Sequence, residues 1–221
     1  MLRATSLVGF GGRRSTSAAA KVLTYQTNAS DGADLTTYTF SSQAIGTAAA
    51  DRYVIVGVGG ANTGSNPSSV TIGGVSATNV VQTNGNIHSG SLWIALVPTG
   101  TTANIVVVWP SGLNRCGIGV WSATGLSGTA ANDTASSNAS PGSATVATLA
   151  GGFAIGYAFI GYAGTGVSWT NLTGRFAVPA EANISNSGAD VATVGGNLAV
   201  TATYTSTYFE GTTRPMVVAA W

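Results

Sequence analysis

Charge is the scarcest property of this chain of 221 residues. Charged side chains make up 7% of the sequence, against about 25% in typical globular proteins. Their distribution is uneven, because residues 1–21 carry four basic side chains and no acidic one, whereas residues 22–221 carry four basic and seven acidic ones. A body with so little positive charge lacks the basic surface stripe that nucleic-acid binding requires, so we expect no nucleic-acid partner.

Cysteine and histidine are almost absent too. Cys116 is the only cysteine, which excludes an intrachain disulfide. His88 is the only histidine, and together with one cysteine it cannot supply the usual ligand set of a zinc site. The nucleophile-elbow motif G-x-S-x-G does not occur. We therefore predict no catalytic residues, no metal and no cofactor, and we expect His88, in the turn-like segment TNGNIHSG, to lie in an exposed loop.

Long hydrophobic runs are missing as well. The longest, GGFAIGYAFIGYAG at residues 151–164, contains five glycines in 14 residues, whereas a membrane-spanning helix needs about 20. We interpret it as a buried strand and expect no membrane partner. Its residues alternate between a bulky face suited to the core (Phe153, Ile155, Tyr157, Phe159) and a thin face suited to close packing of a sheet or subunit (Ala154, Gly156, Ala158).

Small and β-branched residues dominate what is present, with 31 glycines, five tryptophans and seven tyrosines. Short β-rich runs recur at spacings of about 8–12 residues between clusters of Gly, Asn, Ser and Pro, and no segment has helical periodicity. This pattern predicts an all-β protein, an antiparallel β-sandwich of jelly-roll-like type over residues 22–221. Gly73-Gly74 should form a hairpin turn, and residues 127–144 a long exposed loop.

The predicted core consists of apolar positions in the strongest of these runs. They are Val54, Ile55, Val56, Leu92, Trp93, Ile94, Leu96, Val107, Val120, Phe153, Ile155, Tyr157 and Val217.

The first 21 residues, MLRATSLVGFGGRRSTSAAAK, differ in composition from the rest. Glycine interrupts their apolar stretch and the arginine pair follows it, which does not fit a secretory signal. A segment rich in Gly, Ser and Ala loses too much conformational entropy to order by itself. We interpret residues 1–21 as an extended arm that anchors the protein on a partner subunit. The anchoring side chains would be Arg3, Leu7, Val8, Phe10, Arg13 and Arg14.

Two further sets of side chains deserve a functional interpretation. Nearly all of the seven carboxylates fall in predicted loops or at strand edges, where solvated turn residues are expected, although a glycosidase pair among them is a weaker alternative. Trp169 in GVSWTN and Tyr208 in TSTYFEG lie near predicted turns, where they could stack on a sugar. Packing in the core or an interface is the alternative for both residues.

One stretch has a more specific pattern. Residues 51–127, DRYVIVGV…SSVTIGGVSATNVV…GSLWIALVPTGTTANIVVVW…CGIGVWSATGLS, resemble a β-sandwich module of structural proteins of tailed bacteriophages. The leader LVGFGG is similar to the short glycine-phenylalanine leader that such proteins carry. The resemblance implies a virion location and brings no catalytic residues with it.

Together these features predict a non-enzymatic virion structural protein. It would be attached to other virion subunits through its arm and project as a capsid decoration or fibre-like element, most simply as a homotrimer. The alternative is a receptor- or glycan-binding module of a phage tail fibre.

Overall fold

A computed structural model describes residues 20–61, 64–113, 115–161, 164–181, 184–206 and 214–221. Every regular element in these ranges is a β-strand. In chain order the strands are β1 (Val22–Asp31), β2 (Leu35–Ala44), β3 (Tyr53–Ala61), β4 (Ser69–Ile72), β5 (Val75–Ser76), β6 (Thr78–Asn84), β7 (His88–Leu96), β8 (Thr102–Leu113), β9 (Arg115–Thr124), β10 (Asp133–Ser137), β11 (Gly142–Gly161), β12 (Gly164–Thr170), β13 (Thr173–Glu181), β14 (Ile184–Ser206) and β15 (Met216–Ala220). The described residues include no helix long and apolar enough to span a membrane.

The strands form three antiparallel sheets. The outer sheet has the order β2-β8-β4-β5, and the central sheet has the order β1-β9-β3-β7-β6. The C-terminal sheet has the order β10-β15-β11-β14-β12, and β13 also pairs with β14. These sheets pack face to face, which confirms the predicted all-β antiparallel sandwich. The chain builds three sheets where a simple sandwich has two.

The first core lies between the outer and central sheets. Val54, Val56 and Val58 alternate along β3 and point toward Ile105 and Val107 of β8, and all five are fully buried. Strand β3 also pairs with β7 and β9 on its two sides. Because both its faces and both its edges are covered, its nearly continuous apolar sequence fits a central position.

The second core lies between the central and C-terminal sheets, and it is aromatic. Tyr157 and Phe159 of β11 lie against Gly57 and Gly59 of β3, where a Cβ atom would overlap the two rings. Neighbouring Ile55 belongs to the same cluster. Glycines in the central sheet therefore make the space that the bulky face of β11 fills.

The third core forms because the C-terminal sheet bends over itself. Strands β11 and β14 pair from Gly142↔Ala202 to Gly161↔Ile184, with a register shift between Ala150 and Gly152. Near that shift Gly151 has φ 72° and Gly195 has φ 93°, backbone conformations that favour glycine.

The bend brings the two halves of the sheet together. Val146 and Val200 on one side of it pack in one cluster with Ala154 and Ala158 on the other. The thin face of β11 is therefore covered by its own sheet. The sequence left open whether a sheet or a subunit would cover this face, and in the structure the cover is the sheet.

Most of the detailed expectations are confirmed. Gly73 and Gly74, with φ 60° and 81°, form the turn between β4 and β5. Every predicted core residue except Leu96 is buried. Leu96 is 42% exposed; it shares a face with Leu92 and Ile94 but ends its strand, beyond the region that the C-terminal sheet covers.

Two loop predictions are wrong. His88 is 2% exposed and begins β7, pairing with Ala61 of β3. Within residues 127–144, Asp133–Ser137 form β10 and pair with β15. Both segments are polar in sequence, but each supplies backbone hydrogen bonds to a neighbouring strand, and that pairing sets their structure.

Candidate functional site

Arg52 organises one end of the central sheet. Its side chain is fully buried, and its guanidinium donates hydrogen bonds to four backbone carbonyls. Nε donates to Val97 at 2.8 Å, Nη1 to Gly46 at 2.6 Å and Gly100 at 2.9 Å, and Nη2 to Thr99 at 2.7 Å. Burial lowers the pKa of Arg52. The side chain thereby ties the segment before β3 to the connection between β7 and β8.

A groove of about 390 Å³ lies in front of this arginine, between the ends of β1 and β9. Thr24, Gln26, Thr47, Ser122 and Thr124 supply hydroxyl and amide groups to its wall. Gln26 Nε2 donates a hydrogen bond to Ser122 Oγ at 2.8 Å. The lining residues include no carboxylate, thiol or imidazole. The groove is suited to hydrogen bonding with a neutral polar ligand.

A charged cluster lies where β13 and β14 of the C-terminal sheet face β9 of the central sheet. Arg175 donates to Asp190 from Nε at 2.8 Å and from Nη2 at 2.6 Å, and Trp121 Nε1 donates to the same carboxylate at 2.8 Å. The bond to Asp190 raises the pKa of Arg175. Tyr25 stacks on Phe176 with ring centroids 5.6 Å apart. The expectation that the carboxylates are solvated is wrong for Asp190, which is 4% exposed and lies within β14.

The candidate sugar-stacking residue Trp169 lies on β12, and much of its indole packs against the protein. Its Nε1 donates to Ser187 Oγ at 2.9 Å. Its ring lies over Gly156, where a Cβ would stand 2.7 Å from the indole Cζ3. Leu172 covers the same position at 2.6 Å. These contacts are of the kind that the packing alternative predicts, but the residue is half-buried, and sugar stacking by Trp169 stays a prediction.

The histidine and the cysteine are both interior residues. The ring of His88 lies against Phe159 with centroids 6.2 Å apart. Cys116 is fully buried as a free thiol, and burial raises its pKa. Among the described residues, no three His, Cys, Asp or Glu side chains are grouped so that they could hold a metal ion.

Several predicted site residues lie outside the described residues. They are Tyr208 and the anchoring set Arg3, Leu7, Val8, Phe10, Arg13 and Arg14. The residues that sequence reasoning missed are Arg52 and Asp190. A charged residue directly before a run of mostly apolar residues, as Arg52 in DRYVIV and Asp190 in GADVATV, is the signal that could have found both.

Comparisons with protein-family models, with curated proteins and with solved structures find no match to this chain.

Proposed function

We propose that the protein is a non-enzymatic structural component of a tailed-bacteriophage virion. The observation that supports this proposal is the folding of the segment that resembles the phage module. Residues 51–127 supply β3, β7 and β9 of the central sheet and β4, β5 and β8 of the outer sheet, which pack on each other across the first core. The resemblance therefore covers a physically continuous unit of two layers.

The construction of the body suits a projecting element. Three hydrophobic cores lie between successive layers of the sandwich. In the second core, the aromatic rings pack directly against glycines of the facing sheet, where even a Cβ atom would overlap them. The C-terminal strand β15 lies between β10 and β11 and is paired on both sides. Dense packing of this kind opposes local opening, a useful property for a part exposed outside a particle.

The proposed attachment runs through residues 1–21. Strand β1 begins at Val22, the residue at which the body was expected to begin. Lys21 lines a small surface groove of about 170 Å³ with Leu126, Leu149 and Trp221. The arm thus leaves the body at its margin, and in this proposal it docks on a neighbouring virion subunit while the sandwich projects, with a homotrimer as the simplest assembly.

A second candidate is the binding of a neutral glycan by a tail-fibre module. The groove beside Gln26 and Ser122 favours it, because its hydroxyl and amide groups match the hydrogen-bonding groups of a sugar, and its one charged lining residue, Arg52, is buried on backbone carbonyls. A glycan array with the wild-type protein and with Gln26→Ala tests this candidate. Binding that the substitution abolishes would favour it, and no binding by either protein would exclude the glycans on the array.

Locating the chain in the particle tests the main proposal. Mass spectrometry of purified particles whose genome encodes this chain should detect it, and cryo-EM should show the sandwich on the outside of the head or tail. Absence of the chain from the particles would contradict the proposal. Turnover of a polysaccharide by the purified protein, lost on substitution of a carboxylate, would contradict its non-enzymatic character.

A further inference from the structure

Strand β2 is an open edge of the outer sheet. It pairs with β8 on one side, and no described strand pairs with it on the other. Strand β2 also contacts β1 of the central sheet, but no described strand forms backbone pairs with its outer edge. An edge strand presents backbone N–H and C=O groups that only another extended strand can pair in a row.

The sequence of β2 lacks two of the usual protections of an edge, namely charged residues and proline. LTTYTFSSQA contains no charged residue and no proline, whereas natural edge strands carry lysine, proline or bulges that block further pairing. Register shifts occur only at its two ends, between Leu35 and Thr37 and between Phe40 and Gln43. The stretch between these shifts is regular, and Thr37 and Thr39 are exposed on it.

The chemistry of this edge also fits a second copy of itself. Antiparallel pairing centred on Tyr38, midway between the two shifts, places Thr37 of one chain opposite Thr39 of the other. Threonine pairs across strands are stabilising, and no like charges meet. The exposed face beside the edge is uncharged too, with Ser69 aligned across β8 in the same row as Thr37.

We propose that β2 is a self-association edge, through which two copies of the chain join their outer sheets by antiparallel β2–β2 pairing around a twofold axis. The resulting sheet would run continuously through both molecules. This contact does not depend on the proposed virion function. By itself it gives a dimer, and combined with the homotrimer of that proposal it gives a hexamer, so it predicts an even number of chains in the assembled species.

Light scattering of the full-length protein at micromolar concentration tests the proposal. We expect a species of twice the 21.9 kDa chain mass, or an even multiple of it. Thr37→Lys places a charge on β2 beside the strand of the second copy and should weaken association at least tenfold. Ser69→Lys is the matched control. Ser69 lies on β4, two strands from the edge, and aligns with the same β8 residue as Thr37, so the substitution adds the same charge to the same face of the sheet. It should leave association unchanged.

A rescue tests the register. In the pairing centred on Tyr38, the double variant Thr37→Lys/Thr39→Glu brings each lysine opposite a glutamate of the other chain and should restore the even-numbered species. Circular dichroism of each variant checks that the fold is retained. A folded Thr37→Lys protein that associates like the wild type would overturn the proposal, as would failure of the double variant to reassociate.

Hydrogen exchange gives an independent readout that needs no substitution. Amides of β2 should become more protected as protein concentration rises through the association range, while those of the central sheet stay constant. A monomer whose β2 amides are protected at every concentration would mean that another segment of the same chain covers the edge. That result would also overturn the proposal.

Discussion

Gly57 shows how single residues shape the packing of this protein. Gly57 lies between Val56 and Val58 on β3, on the opposite face of the strand. Because it has no side chain, the Tyr157 ring can occupy the space beside it. The tyrosine hydroxyl then donates to the Gly117 carbonyl at 2.9 Å on the neighbouring strand β9. Removing a side chain on one sheet thus allows a larger one on the facing sheet to reach a polar partner.

Gly57→Ala should therefore destabilise the protein. The added methyl group overlaps the Tyr157 ring, and overpacking of this kind costs about 1–3 kcal/mol. Urea denaturation measures the change in the free energy of unfolding. Gly112→Ala, on β8, is the control, because a Cβ there meets no atom within 4 Å. It should stay within about 0.5 kcal/mol of the wild type, and equal stability of the two variants would contradict the packing argument.

The raised pKa of Tyr38 predicts that the protein loses stability at alkaline pH. Burial is the main cause that raises its pKa from 10.0 to about 12, and its hydroxyl donates to Ala33 O at 2.7 Å. Because the folded state favours the neutral phenol, the stabilisation is complete below pH 10 and is lost as the pH rises toward 12. Urea denaturation across this range should show a smaller loss for Tyr38→Phe than for the wild type. An identical loss in both proteins would contradict the assignment.

At the scale of elements, β15 stabilises the sandwich more than its five residues suggest. Met216 and Val218 point into the third core, whereas Val217 and Ala219 point into the second. The strand also joins β10 to β11. The last residue continues this pairing, because Trp221 N donates to Phe153 O at 2.9 Å.

Trp221→Ala should be strongly destabilising. The indole is 2% exposed and packs on Phe153 with ring centroids 5.3 Å apart, and truncation of a buried aromatic side chain costs about 3–5 kcal/mol. Thermal unfolding should show a Tm lowered by several degrees. Trp221→Phe keeps a ring against Phe153 and should recover most of the loss. A Tm unchanged by the alanine variant would show that the chain end is not part of the core.

Charge is distributed unevenly along the whole chain. Residues 1–21 contain four basic residues and no acidic one, whereas residues 22–221 have a net charge of −3, from four basic and seven acidic side chains. In the proposed attachment, the arm supplies both the positive charge and the apolar groups that a partner subunit would bind.

Deleting residues 1–21 should leave the sandwich folded, because β1 begins at Val22, and should abolish binding to particles that lack this subunit. Co-sedimentation measures the binding. Neutralising Arg13 and Arg14 should weaken it modestly, since exposed ion pairs contribute about 0–1 kcal/mol each. Phe10→Ala should cost about 2 kcal/mol or more if the ring is buried in the partner. Full binding by the truncated protein would contradict the anchoring role.

The fold class and most of the core could be predicted from the amino-acid pattern alone. Alternation in β-rich runs is a local property, so Val54, Ile55 and Phe153 could be recognised as buried before any sheet was assembled. Local patterns also located the Gly73-Gly74 turn. The prediction that Leu96 is buried was wrong, because its burial depends on how far another sheet extends over it.

The burial of polar residues, in contrast, depends on contacts between segments that are far apart in the sequence. His88 and Asp190 look like loop or turn residues in sequence, yet strand pairing and the partners Trp121 and Arg175 place them inside the protein. The four carbonyls that bind Arg52 come from segments before and beyond β3. A polar side chain is buried when distant groups converge to satisfy it; a charged residue beside an apolar run can mark such a position, but it does not show which distant groups supply the partners.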